Sequence, residues 1–116
     1  IGKKIKHNIV METICIATNK GVEFYKVSNI IRIQGMSNYC KIYFADKQYP
    51  LTVAKVLHWF EEQLPAEVFW RTHKTHMVNN SYVEKVHTSN KPYLLLSNGE
   101  IIAISRRRAP LFKIVG

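Results

Sequence analysis

The sequence predicts a mainly β domain carrying one short α-helix. Short runs rich in β-branched and aromatic residues recur along the chain, separated by Asn, Gly, Ser and Asp. A single stretch between Thr52 and Pro65 repeats its apolar residues at helical spacing. At 116 residues the chain is long enough to bury a core without disulfide or metal support.

The elements follow in order. Thr13–Thr18 and Val22–Val27 read as a hairpin, because Asn19-Lys20-Gly21 between them tolerates positive φ. Ile30–Ile33 and Tyr39–Ala45 form the next pair. Their connection, Gln34-Gly35-Met36-Ser37-Asn38, is longer than a minimal turn and leaves polar groups free to project. Asp46-Lys47 then turns the chain into a short run, Gln48–Leu51. A helix is expected from Val53 to about Gln63, capped by the Thr52 oxygen and stapled by Leu51 and Val56. Val53, Leu57, Phe60 and Leu64 make its core-facing stripe, His58 lies off it in solvent, and Pro65 ends it.

Beyond the helix, Phe69-Trp70 leads into a polar cluster and then Met77–Asn79. Tyr82–Thr88 and Tyr93–Leu96 follow as hairpin arms joined by Ser89-Asn90-Lys91-Pro92. Asn98-Gly99 suits a type I′ turn into Ile101–Ile104. The tail from Arg106 forms a short helical turn interrupted at Pro110. Residues 1–11 read as an arm or linker from an upstream domain, and 12–116 as the folded unit. The chain opens without Met, which points to a piece of a longer protein.

Charge narrows the partner. Seventeen Lys and Arg against eight Asp and Glu give a formal charge of +9, a balance that favours a polyanion. No stretch approaches the roughly 18 apolar residues of a membrane span, and nothing after the basic N-terminus reads as a signal peptide. Cys15 and Cys40 are isolated in strand-like runs, which fits reduced, partly buried thiols in a cytoplasmic protein.

Two acid-free basic clusters stand out. Phe69–Asn79 places Arg71, His73, Lys74, Thr75 and His76 between an aromatic start and an apolar finish, and Ser105-Arg106-Arg107-Arg108 lies near the C-terminus. A third polar loop, Gly35-Met36-Ser37-Asn38-Tyr39, enters a strand. In this order, with one helix between the first loop and the Phe-Arg-His pattern, the motifs resemble the LytTR DNA-binding domain family over about Met11 to Leu111. The match reads Phe69, Arg71, Thr72, His73, Lys74-Thr75 and Met77-Val78-Asn79, with Trp70 inserted after Phe69. The strand ending Ile101-Ile102-Ala103-Ile104-Ser105-Arg106-Arg107 carries the second mark. One departure is that the acidic residue many members carry before the first loop is replaced by Ile33-Gln34.

The resemblance implies an elongated stack of small antiparallel sheets with one helix, gripping duplex DNA by loops in successive major grooves. It implies the output domain of a bacterial transcription regulator of the two-component, response-regulator type. Repeated promoter elements, an upstream receiver domain and dimerisation through that domain go with it. Arg107 is the expected base reader, since a guanidinium matches guanine O6 and N7 in two bonds; Lys74 follows as a point charge. Tyr39 and Asn38 are suited to base edges or thymine methyls. Ser37, Lys41, Arg71, His73, Thr75, Arg106 and Arg108 are assigned to phosphates, with an alternative for Arg71 and His73 as internal supports of their loop. Asn79 reads as a turn anchor. About six neutralised phosphates predict a slope of log K against log salt near −5.

Two rivals come from other classes. A His-based hydrolase or nuclease would use His73 and His76 with His58 or His87, yet no carboxylate accompanies the pair and no P-loop or Ser-His-Asp pattern appears. A β-barrel for RNA or single strands would stack bases on Tyr25, Tyr43, Phe44 and Tyr93. The cations concentrate in loop-like segments instead, which favours duplex grooves. No cofactor, metal or membrane is expected.

Overall fold

Each strand pairs mainly with its sequence neighbour, so local turns set most of the topology of this computed structural model, which describes residues 12–112. Strands β1 (Thr13–Thr18) and β2 (Gly21–Lys26) form a two-stranded hairpin. Five strands make the central sheet: β3 (Ile30–Met36), β4 (Tyr39–Phe44), β5 (Leu51–Val53), β6 (Phe69–His73) and β7 (His76–Asn79), in the order β5-β4-β3-β7-β6. β8 (Val83–His87), β9 (Tyr93–Leu96) and β10 (Ile101–Ala103) form a third sheet, ordered β10-β9-β8. All pairings are antiparallel, as the expected stack of small sheets requires.

The central sheet is covered on both faces. On one side, helix α1 (Leu57–Gln63) and the β1–β2 hairpin bury Ile14, Ile16, Ile33, Ile42, Leu57, Phe60 and Met77 in one core. On the other, Ile31, Val78 and Trp70 meet Leu94, Leu96, Ile102 and Ile104 from the third sheet. Fully burying one such aliphatic side chain contributes about 1.5–3 kcal/mol. Arg32 crosses between the two sheets. It is only 9 % exposed, donates to both Glu100 oxygens at 3.0 and 2.9 Å, and lies 3.8 Å from the Tyr43 ring centroid. This bidentate pair lowers the Glu100 pKa from its ordinary value, against the opposing effect of burial.

Several expectations are corrected. The helix begins at Leu57, because Val53 pairs with Cys40 in β5 and buries there; strand pairing overrides the helical spacing. Thr52 consequently pairs with Lys41 instead of capping, Val56 takes the cap position without a side-chain bond, and exposed Val56 makes no staple. β5 itself lies at Leu51–Val53 rather than Gln48–Leu51. β3 runs to Met36, so the connection to β4 is a two-residue turn, Ser37-Asn38, with Ser37 at φ +60°. Gly35, inside β3, is tightly packed against the helix: a Cβ there would stand 3.3 Å from Leu57 Cβ.

The turn at Asn98-Gly99 also differs from expectation. Only Gly99 has positive φ, and Leu96 N–H donates to Glu100 O at 2.9 Å, which makes a three-residue Ser97-Asn98-Gly99 loop rather than a type I′ turn. Cys15 is exposed rather than partly buried as expected, whereas Cys40 is buried and its thiol is pushed up to about 11 by desolvation. The C-terminal turn is a 3-10 helix over Ala109–Phe112 that includes Pro110. The expected N-terminal arm, residues 1–11, lies outside the described residues. Among those described, no helix is long and apolar enough to cross a membrane.

Candidate nucleic-acid interface

The basic Phe69–Asn79 segment, expected as a loop, is mostly strand. β6 and β7 pair from Phe69↔Asn79 to His73↔His76, which leaves Lys74-Thr75 as the turn. Strand alternation explains the motif's composition. Phe69, Thr72, Met77 and Val78 point into cores, while Lys74 is exposed at the tip.

Arg71 holds that tip from beneath. Its side chain, 16 % exposed, meets Glu61 Oε1 of α1 at 2.7 Å and donates through Nε to the His73 carbonyl at 3.0 Å and through Nη2 to the Lys74 carbonyl at 2.6 Å. His73 completes the frame. The Thr75 amide donates to His73 Nδ1 at 3.2 Å, so that nitrogen is the acceptor and the neutral ring carries its hydrogen on Nε2. The Thr75 hydroxyl, 2.9 Å from the same atom, must then donate to it as well. For Arg71 these bonds describe the internal-support reading, and His73 joins the same frame through Nδ1. Asn79 is an anchor, as expected: it donates to the Ile30 carbonyl at 3.0 Å and accepts from the Ser81 amide at 2.9 Å.

Three separate segments converge on one end of the central sheet. β3 pairs antiparallel with β7, so the Ser37-Asn38 turn and the Lys74-Thr75 turn share that end, tied by Gly35 N–H to Thr75 O at 2.9 Å. Ser105 N–H donates to Thr72 O at 2.9 Å and brings in the arginine segment, where Arg108 reaches the Arg71 carbonyl at 3.5 Å. His73, Lys74, Ser105, Arg107 and Arg108 line one open cavity of about 230 Å³. Asn38, Lys74, Arg106 and Arg107 are exposed, and no ion-pair partner meets any of these three cations among the described residues. Ser37 is exposed as well. Tyr39 and Lys41 are half-buried on the outward face of β4, one strand-step apart.

A family model for the LytTr DNA-binding domain matches residues 20–115. The chain belongs to the LytTR family. It is therefore a DNA-binding domain, of a family defined by binding rather than by catalysis. The LytTR fold is seen again in a solved LytTr DNA-binding domain from Bacillus cereus, of a protein described as a methyl-accepting/DNA response regulator. The two share 20 % identity with a TM-score of 0.73, over 87 % of this chain and 93 % of that one. No curated protein matches the sequence.

Sequence reasoning missed two structural supports of this LytTR domain, Glu61 and the Arg32–Glu100 pair. Each partner stands on a different element, and nothing local marks it. His73 and His76 lie 5.5 Å apart by ring centroid, but among the described residues no group of three metal-ligand residues forms. His76 is pushed down to about 4, first by burial and then by His73 and Arg32. His58 is solvated on α1, beside Glu61 and Glu62.

Proposed function

We propose that this LytTR domain reads duplex DNA sequence-specifically, as the cytoplasmic output domain of a bacterial two-component transcription regulator. On this reading a receiver domain precedes it, and dimerisation through that domain sets it on repeated promoter elements. The observation that carries the proposal is the meeting of Ser37-Asn38, Lys74-Thr75 and Ser105–Arg108 at one sheet end, with Lys74 and Arg107 lining one cavity. Turns so clustered present long side chains to successive major grooves on one face of the duplex without a recognition helix.

Arg107 makes the bidentate guanine contact, and Lys74 donates a second, less discriminating bond. Asn38 and Tyr39 read the neighbouring base edges or thymine methyls. Ser37, Lys41, His73 through Nε2–H, Arg106 and Arg108 hold phosphates and fix register. Arg71 and Thr75 are read as supports of the turn, because three of the five Arg71 N–H groups are bonded to the turn carbonyls and Glu61, and the Thr75 hydroxyl is bonded to His73.

The single-strand alternative loses its stacking platform. Tyr25 packs on Phe44 at 5.1 Å, Tyr43 carries Arg32, and Tyr93 stacks on His87 at 4.7 Å.

Selection from a random duplex library tests the proposal, with two short enriched blocks about one helical turn apart as the expected product. Arg107→Ala then weakens the selected site more than random DNA, whereas Arg106→Ala weakens both alike. Equal losses for Arg107→Ala, or preference for single strands, would overturn it.

A further inference from the structure

The Ser105–Arg108 segment is tied on both sides. Ser105 N–H donates to Thr72 O of β6, and the preceding amide, Ile104 N–H, donates to Pro92 O of the β8–β9 connection at 3.0 Å. The segment therefore bridges two turns, and its arginines divide between them. Arg107 faces the Lys74 turn across the cavity already described. Arg106 faces the other way, lining a second open cavity of about 420 Å³ with Lys91, Asn90 and Thr88, walled by Pro92 and Pro110.

That second cavity has the chemistry of an anion seat. Two cations, an amide and a hydroxyl face it, and no carboxylate does. Neither Lys91 nor Arg106 has an ion-pair partner among the described residues, and both are exposed. Asn90 and Lys91 hold consecutive positive φ values of +31° and +60°, a conformation that L-residues adopt only at a cost. The Ile104–Pro92 bond keeps this turn against Arg106.

We infer that the β8–β9 turn is a fourth DNA-contacting element, seating one phosphodiester of the bound duplex between Lys91 and Arg106. The inference rests on the duplex-binding reading and extends it sideways from the three converging segments. A phosphate held there fixes the orientation of Arg107 on the adjacent bases while carrying no sequence information.

The test is binding of the whole chain to its selected duplex and to random duplex across a salt series. Lys91→Gln is expected to make the slope of log K against log salt shallower by about 0.9, so that the wild-type advantage shrinks about 3.5-fold between 50 and 200 mM salt. The loss falls equally on both duplexes, and Lys91→Arg restores the slope. One phosphate whose ethylation weakens wild-type binding ceases to matter in Lys91→Gln. Lys47→Gln, in the connection at the opposite end of the central sheet, leaves the slope unchanged. An unchanged slope in Lys91→Gln, in a protein whose Arg107→Ala variant still loses specificity, overturns the fourth contact alone. Absence of duplex binding by the wild type overturns both readings.

Discussion

Replacing Arg71 with Met separates two roles that a motif arginine can have. Met keeps an apolar stem in place of the buried methylenes and removes the guanidinium. Two charge-assisted bonds to the His73 and Lys74 carbonyls, at 3.0 and 2.6 Å, are lost. Each is worth about 1.5 kcal/mol at the lower end for a charged donor. The Glu61 pair, whose carboxylate side chain is 38 % exposed, adds at most about 1 kcal/mol after solvent screening. The folded state should therefore lose about 3–4 kcal/mol, less than the whole stability of a typical domain.

Binding suffers separately, because Lys74-Thr75 is no longer held and must be ordered on contact. At about 1–2 kcal/mol per backbone residue, that weakens duplex binding at least about 30-fold. Denaturant melts and anisotropy titrations at several salt concentrations measure both effects. The salt slope should stay at its wild-type value, because no phosphate contact is removed. A slope shallower by about 0.9, with stability unchanged, would show that Arg71 holds a phosphate and that the turn-pinning argument is wrong.

Four further outcomes follow from the same geometry. Glu100 is held below its unfolded value of 4.5 by Arg32, so its contribution is present above that pH and lost as pH falls through the lower folded value. Glu100→Gln should flatten stability in that acid window and lower Tm by about 5–10 °C at neutral pH, measured by thermal melts. His76, depressed from 6.5 to about 4, stabilises fully above 6.5 and loses up to about 3 kcal/mol as pH falls towards 4; in His76→Leu that arm of the stability profile should vanish. The Thr72 hydroxyl is buried with no hydrogen-bond partner among the described residues, so Thr72→Val should raise stability by about 1 kcal/mol in urea titration. Gly35→Ala should cost about 1–3 kcal/mol, because the new methyl meets Leu57 Cβ at 3.3 Å, in the helix that also carries Glu61.

Local signals were legible where one element's own residues settle it. The hairpin at Gly21 and the arms around Asn90 and Gly99 follow from turn chemistry and alternation, and the structure keeps them within a residue or two. The errors lie where a distant partner decides. Val53 fits the helical stripe by spacing, yet Cys40 draws it into β5. The polar run after Trp70 looks like a loop by composition, yet pairing with β7 makes it strand up to His73. Asn98-Gly99 is a local exception: its residues suit type I′, yet the Leu96–Glu100 bond closes a three-residue loop.

For the candidate site, sequence determined the inventory: a net charge of +9, three polar or basic segments at a recognisable spacing, and the family to which they belong. Those are properties of residue type and order, which survive in an unfolded chain. Only the tertiary structure decided which side chains are free. It turned Arg71 inward onto Glu61, committed Thr75 to His73, and divided Arg106 and Arg107 between two cavities. The physical reason is that a side chain's availability depends on partners that folding brings to it, two residues away for Thr75, ten for Arg71 and 68 for Arg32. Sequence names the donors, and folding determines which of them still face outward.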